Sequence, residues 1–184
     1  MEPIYFYARK QKFQSLSNFS PHPIQIIDNH QTRKYQTGEH CFHGEKYILV
    51  SQNISHSDRK EELRVYAQKF QEPSNLDSPI LAKRAGGKKG LALTAQELKI
   101  WDSLNVELQR KICLYKLENY PDIKEELRST QDKVLIHPAL RVSKDKVKHR
   151  KWEGRLVEED GNKKIIGANV LGNIWMELRS QLNL

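Results

Sequence analysis

The sequence predicts an α+β fold, and three observations carry the prediction. Stretches rich in β-branched and aromatic residues lie near both ends, the middle of the chain has a helical apolar period, and a turn-forming "DGN" at 160–162 separates two further strand-like runs. In chain order, "IYFYA" (4–8) reads as a strand and "SLSNFSPHP" (15–23) as turn chemistry. "IQIID" (24–28) and "RKYQT" (33–37) flank "NHQ" as a hairpin. A helix starts after Thr37, which caps it, with Phe42 and Leu49 directed to a core. Further helices occupy 56–70 and 78–85, and "GGKKG" (86–90) stops the second of them.

The segment 94–120 places Leu98, Trp101, Leu104, Leu108, Ile112 and Leu117 near a 3.6-residue period, which predicts a long scaffold helix. "PDIKEELRST" opens another helix with proline in its first turn, where a missing N–H costs nothing. "KVLIH" (133–137) reads as a short buried strand, and "RLVEE" and "KKIIG" form a hairpin around "DGN". Past Gly167, Leu171, Trp175, Leu178 and Leu182 share one face of a terminal helix. No repeat or low-complexity linker interrupts the pattern, and the 184 residues fit one domain able to bury about 70% of the unfolded chain's surface.

Apolar residues make up 38% and charged residues 29%, which excludes a disordered or membrane-embedded chain. No apolar run approaches the ~20 residues of a membrane span, and the opening "MEPIYFYARKQKF" is no signal peptide, so the expected location is intracellular, in the cytoplasm. Cys41 and Cys113 lie far apart among apolar neighbours and read as buried thiols rather than a disulfide, metal pair or nucleophile. The net charge of +8 favours anionic partners such as nucleic acid, nucleotides or phosphates, and its one dense cluster is "KDKVKHRK" (144–151).

The segment "EHCFHGEK" (39–46) is unusual for a helix that must face a core. Glu39, His43 and Lys46, at i, i+4 and i+7, lie along one helical face and span roughly 10 Å of axis, enough to bracket one small ligand. The plain alternative is a solvated Glu-His-Lys face. His40 and His43 are three apart, whereas the zinc metalloprotease helix needs histidines four apart, and no third ligand is in view; no metal is expected, and no cofactor. "AGGKKG" lacks the P-loop spacing and reads as a helix stop whose lysines are placed to touch phosphate.

"SLSNFS", "GEHCFHGEK" and "GANVLGNIWMELR", in this order, resemble the NADAR (YbiA-like) family, whose pattern has an S-N-F segment, then E-H-x-F-Q-x-x-K, and a late G-x-N-x-L-G-x-x-L-M-x-x-R. "AKRAGG", "WD" (101–102) and "LRST" (127–130) match weaker landmarks between them, so that the resemblance covers residues 1–184 as one NADAR-like domain. It implies an N-glycosidase that releases ADP-ribose or a ribose phosphate from a base, such as ADP-ribose from guanine or the base of a ribosylated riboflavin-pathway intermediate. The expected partners are such an N-glycoside and, with it, ADP-ribosylated nucleic acid or a nucleotide. Glu39 and Lys46 fall on the family's active-site positions, Ser17, Asn18 and Phe19 on its ligand-pocket loop, and Asn169 and Gly172 on the late motif. Asn169 is equally suited to cap the terminal helix and Phe19 to fill the core.

Three departures qualify the match. His43 replaces the first motif's glutamine, and at matching distance from Thr130 the family's glutamate is His137. If Trp152 is the family tryptophan, a stacking platform for a base, then His149 replaces an aspartate. Glu158 and Asp160 supply the acids in a second register, and Asp145 the aspartate in a third; the sequence leaves these open. An enzyme using Glu39, Lys46 and His137 and a binding module that keeps the pocket without turnover are both compatible, and a second carboxylate in the pocket is what distinguishes them.

Overall fold

Thr37 ends an extended segment and its hydroxyl accepts the backbone N–H of His40, so the helix predicted after it begins at Gly38. In this computed structural model, which describes residues 2–9, 12–28 and 30–182, the elements alternate as an α+β fold, with short strands towards both ends of the chain and helices between them. The described residues divide into two compact units, one formed by residues 18–116 and the other by 1–17 together with 117–184.

In the unit of residues 18–116, strands β2 (Ile24–Asp28) and β3 (Gln31–Tyr35) form an antiparallel hairpin with Ile24 opposite Tyr35. The second strand starts two residues earlier than the sequence pattern indicated. Helix α1 (Gly38–Gln52) packs against α2 (Ser57–Ala67), α3 (Pro79–Gly86) and β3. Tyr35, Tyr47, Val50, Leu63, Phe70 and Ile112 are fully buried in one cluster, and Phe42 and Leu49 pack against it only partly buried. Half of the buried positions of α1 are instead polar: Glu39, His40, Glu45, Lys46 and Ser51. A helix whose polar groups have internal partners does not need an apolar stripe, which is why its amphipathic pattern was faint.

Helix α4 (Ala95–Asn119) opens on a reciprocal capping box: Thr94 Oγ1 accepts the Glu97 N–H at 3.2 Å, and Glu97 Oε2 accepts the Thr94 N–H at 2.8 Å. Glu97 also receives Arg59 through two nitrogens at 2.8 Å and is buried. This inward turn of Glu97 leaves Leu98 47% exposed, although its spacing had placed it in the core; Trp101, Leu108 and Ile112 are buried as expected.

In the other unit, β1 (Ile4–Tyr5) pairs in parallel with β4 (Leu135–Ile136). Helix α5 (Pro121–Ser129) packs on a 3-10 turn at Gln14–Leu16, and α7 (Val170–Ser180) buries Trp175, whose Nε1–H donates to the Leu16 carbonyl at 2.9 Å. The hairpin of β5 (Arg155–Glu159) and β6 (Asn162–Ile166) turns at Asp160 and Gly161, both at positive φ, so Asn162 opens the second strand rather than completing the turn. A four-residue helix α6 (Lys144–Val147), unseen in the sequence, is held by buried Val147.

Asn169 stands at the start of α7 in a left-handed conformation (φ 48°), but its side chain makes no cap bond. Its Oδ1 accepts the His137 N–H at 3.0 Å and its Nδ2 donates to the Leu135 carbonyl at 2.8 Å. Those are the two bonds that a third parallel strand would make around Ile136, so one amide completes the free edge of β4. Gly172 lies where a Cβ would overlap the Leu135 carbonyl and the Asn169 amide, and so keeps α7 close to that strand. We expect Asn169→Ala to strand two buried backbone groups and lose about 2–4 kcal/mol of stability in chemical denaturation. A loss below ~1 kcal/mol would show that water replaces the amide.

Candidate active site

The first turn of α1 sets the candidate site. The Glu39 backbone N–H, left without an intrahelical partner, donates to the Asn18 carbonyl at 3.0 Å and ties the "SNF" loop to the helix start. Asn18 and Gln109 exchange side-chain amide bonds at 2.8 and 2.9 Å, which fixes that loop on α4. Glu39 is buried, and its Oε1 lies 3.2 Å from His43 Nε2 one turn later. His43 Nδ1 is buried without a hydrogen-bond partner. A doubly protonated ring would bury that N–H unpaired, so the ring is best satisfied with its one proton on Nε2, donating to Glu39. His43 thus offers the carboxylate one N–H, as the amide of the family's glutamine would.

Lys46 is also buried, and its Nζ donates to the Gly86 carbonyl at the end of α3 and lies 4.4 Å from the centroid of the Tyr47 ring. Burial lowers its pKa to about 8. Relative to an unperturbed amine at 10.5, this raises the neutral fraction at pH 7 by about 300-fold. Gly86 meets two of the three residues of the helix face: its carbonyl holds Lys46, and a Cβ there would overlap the His43 imidazole. The sequence showed "AGG" as a helix stop, and nothing in it marked the middle glycine as a wall of the site.

The remaining polar groups of α1 are committed elsewhere. Glu45 accepts Arg33 Nε at 2.6 Å, Arg33 Nη2 at 3.0 Å and the Tyr35 hydroxyl at 2.6 Å. Burial, then the Glu45 charge, pushes the Tyr35 phenol well above its usual range; Arg33, whose burial alone would lower its pKa, is raised overall by Glu45. His40 Nε2 donates to the Leu76 carbonyl at 2.7 Å while Nδ1 lies 2.8 Å from the Thr37 hydroxyl, and burial lowers its pKa, so it is a neutral structural histidine. Among the described residues no three His, Cys, Asp or Glu side chains converge as metal ligands would. Cys41 and Cys113 are buried free thiols; burial raises both, Cys113 to about 11, which disfavours the thiolate.

Phe19 is half-buried, with Lys83 Nζ 5.5 Å from its ring centroid. The unit of residues 18–116 therefore gathers Asn18, Phe19, Glu39, His43 and Lys46. Ser17, His137, Trp152, Asn169 and Gly172 belong to the other unit. There, Ser17 is buried after the 3-10 turn, and His137 donates Nδ1–H to the Phe6 carbonyl at 3.2 Å with its ring 5.4 Å from Phe6. Trp152 is half-buried beside Lys151, whose Nζ is 5.6 Å from a Trp152 ring centroid. Asn169 and Gly172 meet β4 as described. Of the alternative acids, Glu158 and Asp160 are exposed on the β5–β6 hairpin and Asp145 is exposed beside Lys148 at 3.7 Å.

A family model described as the NADAR domain matches residues 5–183. The chain is 26% identical to the N-glycosidase YbiA of Shigella flexneri over 97% of its own length and 88% of that protein's. It is 27% identical to the chloroplastic riboflavin biosynthesis protein PYRR of Zea mays over 97% of its length, but spans only 25% of that longer relative. The NMR structure of E. coli YbiA superposes with a TM-score of 0.59 at 25% identity, over 98% of this chain and 84% of that one. With its three motifs on one helix start, one loop and one terminal helix, and with the family model matched over nearly its whole length, the chain belongs to the NADAR family.

Proposed function

We propose that the protein is an N-glycosidase that cleaves the bond between a base and a ribose phosphate or ADP-ribose. The observation that carries this reading is Glu39. Of the buried carboxylates of residues 18–116, Glu45 and Glu97 are each neutralised by an arginine, whereas Glu39 meets a histidine, on the helix face that also carries a lysine of depressed pKa. Cleaving a C1–N riboside bond builds positive charge at C1, which a nearby carboxylate stabilises. Lys46, in its neutral form, attacks C1: a C–N bond forms as the C1–base bond breaks and the base leaves with one amine proton. The ribose ring then opens at C1–O4′ with the second proton passing to O4′ to give an imine, and water hydrolyses the imine to release the sugar and restore the amine. His137 stays a candidate for proton transfer, and the leaving base is guanine or a pyrimidine-derived intermediate. The name N-glycosidase YbiA supports the bond type, and that of the riboflavin biosynthesis protein PYRR supports the riboflavin-pathway alternative.

Incubating the protein with ADP-ribosylated guanine DNA and with free N-ribosides, and identifying the released sugar by mass, tests the reading. Bound ADP-ribose without release from any of them would favour a binding module.

The Lys46 pKa also sets a pH dependence. Turnover should rise about tenfold per unit from pH 6 to 7 and level off above about 8, as the amine loses its proton. Lys46→Arg, which cannot titrate in this range, should lose that limb and the borohydride-trapped adduct of the native enzyme. A profile flat across this range would exclude the neutral amine.

A further inference from the structure

The end of α3 carries more charge than its fold requires. Lys83 and Arg84 in its last turn complement the helix C-terminus, a weak effect on a surface. Lys88 and Lys89, beyond Gly87, have no such role. Together with Phe19, Ile80 and Gly87 these four cations line a groove of about 350 Å³ that contains no acidic residue, and none of the four forms an ion pair among the described residues. Phe19 holds one of them, Lys83, over its ring. Like charges gathered on one wall repel each other, and an anion between them removes that cost.

Both walls of the groove are tied to the Glu39–Lys46 face. Phe19 follows Asn18, whose carbonyl receives the Glu39 N–H, and Gly86, one residue before Gly87, receives Lys46 and abuts His43. We propose that this groove is the phosphate subsite of the protein, binding a pyrophosphate or phosphodiester of the molecule whose ribose reaches Glu39, with Lys83, Arg84, Lys88 and Lys89 as its ligands. It rests on the N-glycosidase reading only for what carries the phosphate. The volume is at the lower end of small-ligand pockets, about 300–1,000 Å³, and suits a diphosphate with its sugar. Exposed lysines suit a ligand that must also leave, and they make the interaction sensitive to salt.

Direct binding measured by calorimetry tests the subsite without requiring turnover. The probes are inorganic pyrophosphate, ADP-ribose and single-stranded oligonucleotides of increasing length, with the native protein, Lys88→Gln/Lys89→Gln, Lys83→Gln/Arg84→Gln and Glu39→Gln. Each charge-removing pair should weaken pyrophosphate and ADP-ribose at least ~10-fold and flatten the salt dependence. Glu39→Gln should bind pyrophosphate as the native protein does. Tighter binding of ADP-ribose than of any oligonucleotide, whatever its length, assigns the subsite to a free diphosphate, and affinity growing with strand length assigns it to a nucleic-acid backbone. If the pairs lose pyrophosphate while no N-riboside is turned over by the native protein, the glycosidase reading falls and the subsite stands. Undiminished binding in both pairs, with unchanged thermal melting, overturns the subsite whatever the turnover.

Discussion

Glu39→Gln should lower turnover on the true N-riboside by at least ~100-fold while leaving ADP-ribose bound, the scale of a lost positioned charge stabiliser. Glutamine keeps the size of the side chain and still meets His43, so the helix start and the Asn18 tether survive the change. What disappears is the negative charge at a position where positive charge develops only in the transition state, and two decades of rate correspond to about 2.7 kcal/mol of lost stabilisation. The loss should therefore appear in kcat with KM little altered. Turnover within a few-fold of native would remove Glu39 from the chemistry. Thermal melting must be unchanged for the comparison to be read, and the modest hydrogen bond between Glu39 and His43, 3.2 Å long, makes that the expected result.

The largest effect on stability is expected from the neighbouring acid that has no catalytic assignment. Glu45→Ala should destabilise the protein by about 3–5 kcal/mol, because it leaves the buried Arg33 guanidinium with only the longer, partly exposed contact to Asp28 at 3.6 Å and the fully buried Tyr35 hydroxyl without its acceptor. The cost is that of uncompensated burial rather than of the pair itself. Replacing all three groups at once, as Arg33→Met with Tyr35→Phe and Glu45→Met, should therefore recover most of the loss. Denaturant titration of the single and triple variants checks this, and a single variant within ~1 kcal/mol of native would mean that water or Asp28 compensates Arg33. The contrast between Glu39 and Glu45, six residues apart on one helix, is between a carboxylate left available and one fully neutralised.

Much of the fold was legible because local chemistry and tertiary structure agreed. Thr37 caps α1, proline opens α5, the glycines after Ala85 end α3, and Asp160 with Gly161 turns the last hairpin. Each is a backbone preference that a few neighbouring residues decide. Leu98 was misplaced because apolar period alone cannot tell which side of a first turn is spent on a cap, and Glu97 took the inward position. Helix α6 escaped because four residues rich in lysine carry no period, and one buried valine holds them.

The sequence by itself determined the α+β class, the order of most elements, and the alignment of Glu39, His43 and Lys46 on one face, since helical spacing is a property of the backbone. Which of the polar residues of α1 were available for chemistry was decided by their partners in the folded chain, most of them outside the helix's own neighbourhood in sequence. Arg33 neutralises Glu45 while Tyr35 donates to it, Leu76 and Thr37 satisfy His40, and the Gly86 carbonyl receives Lys46 from 40 residues away. Asn169, well placed for a cap, spends its amide on β4 for the same reason. Burial makes a polar group costly until it is paired, and the pairing depends on which surfaces meet in three dimensions, which helical or strand spacing does not encode.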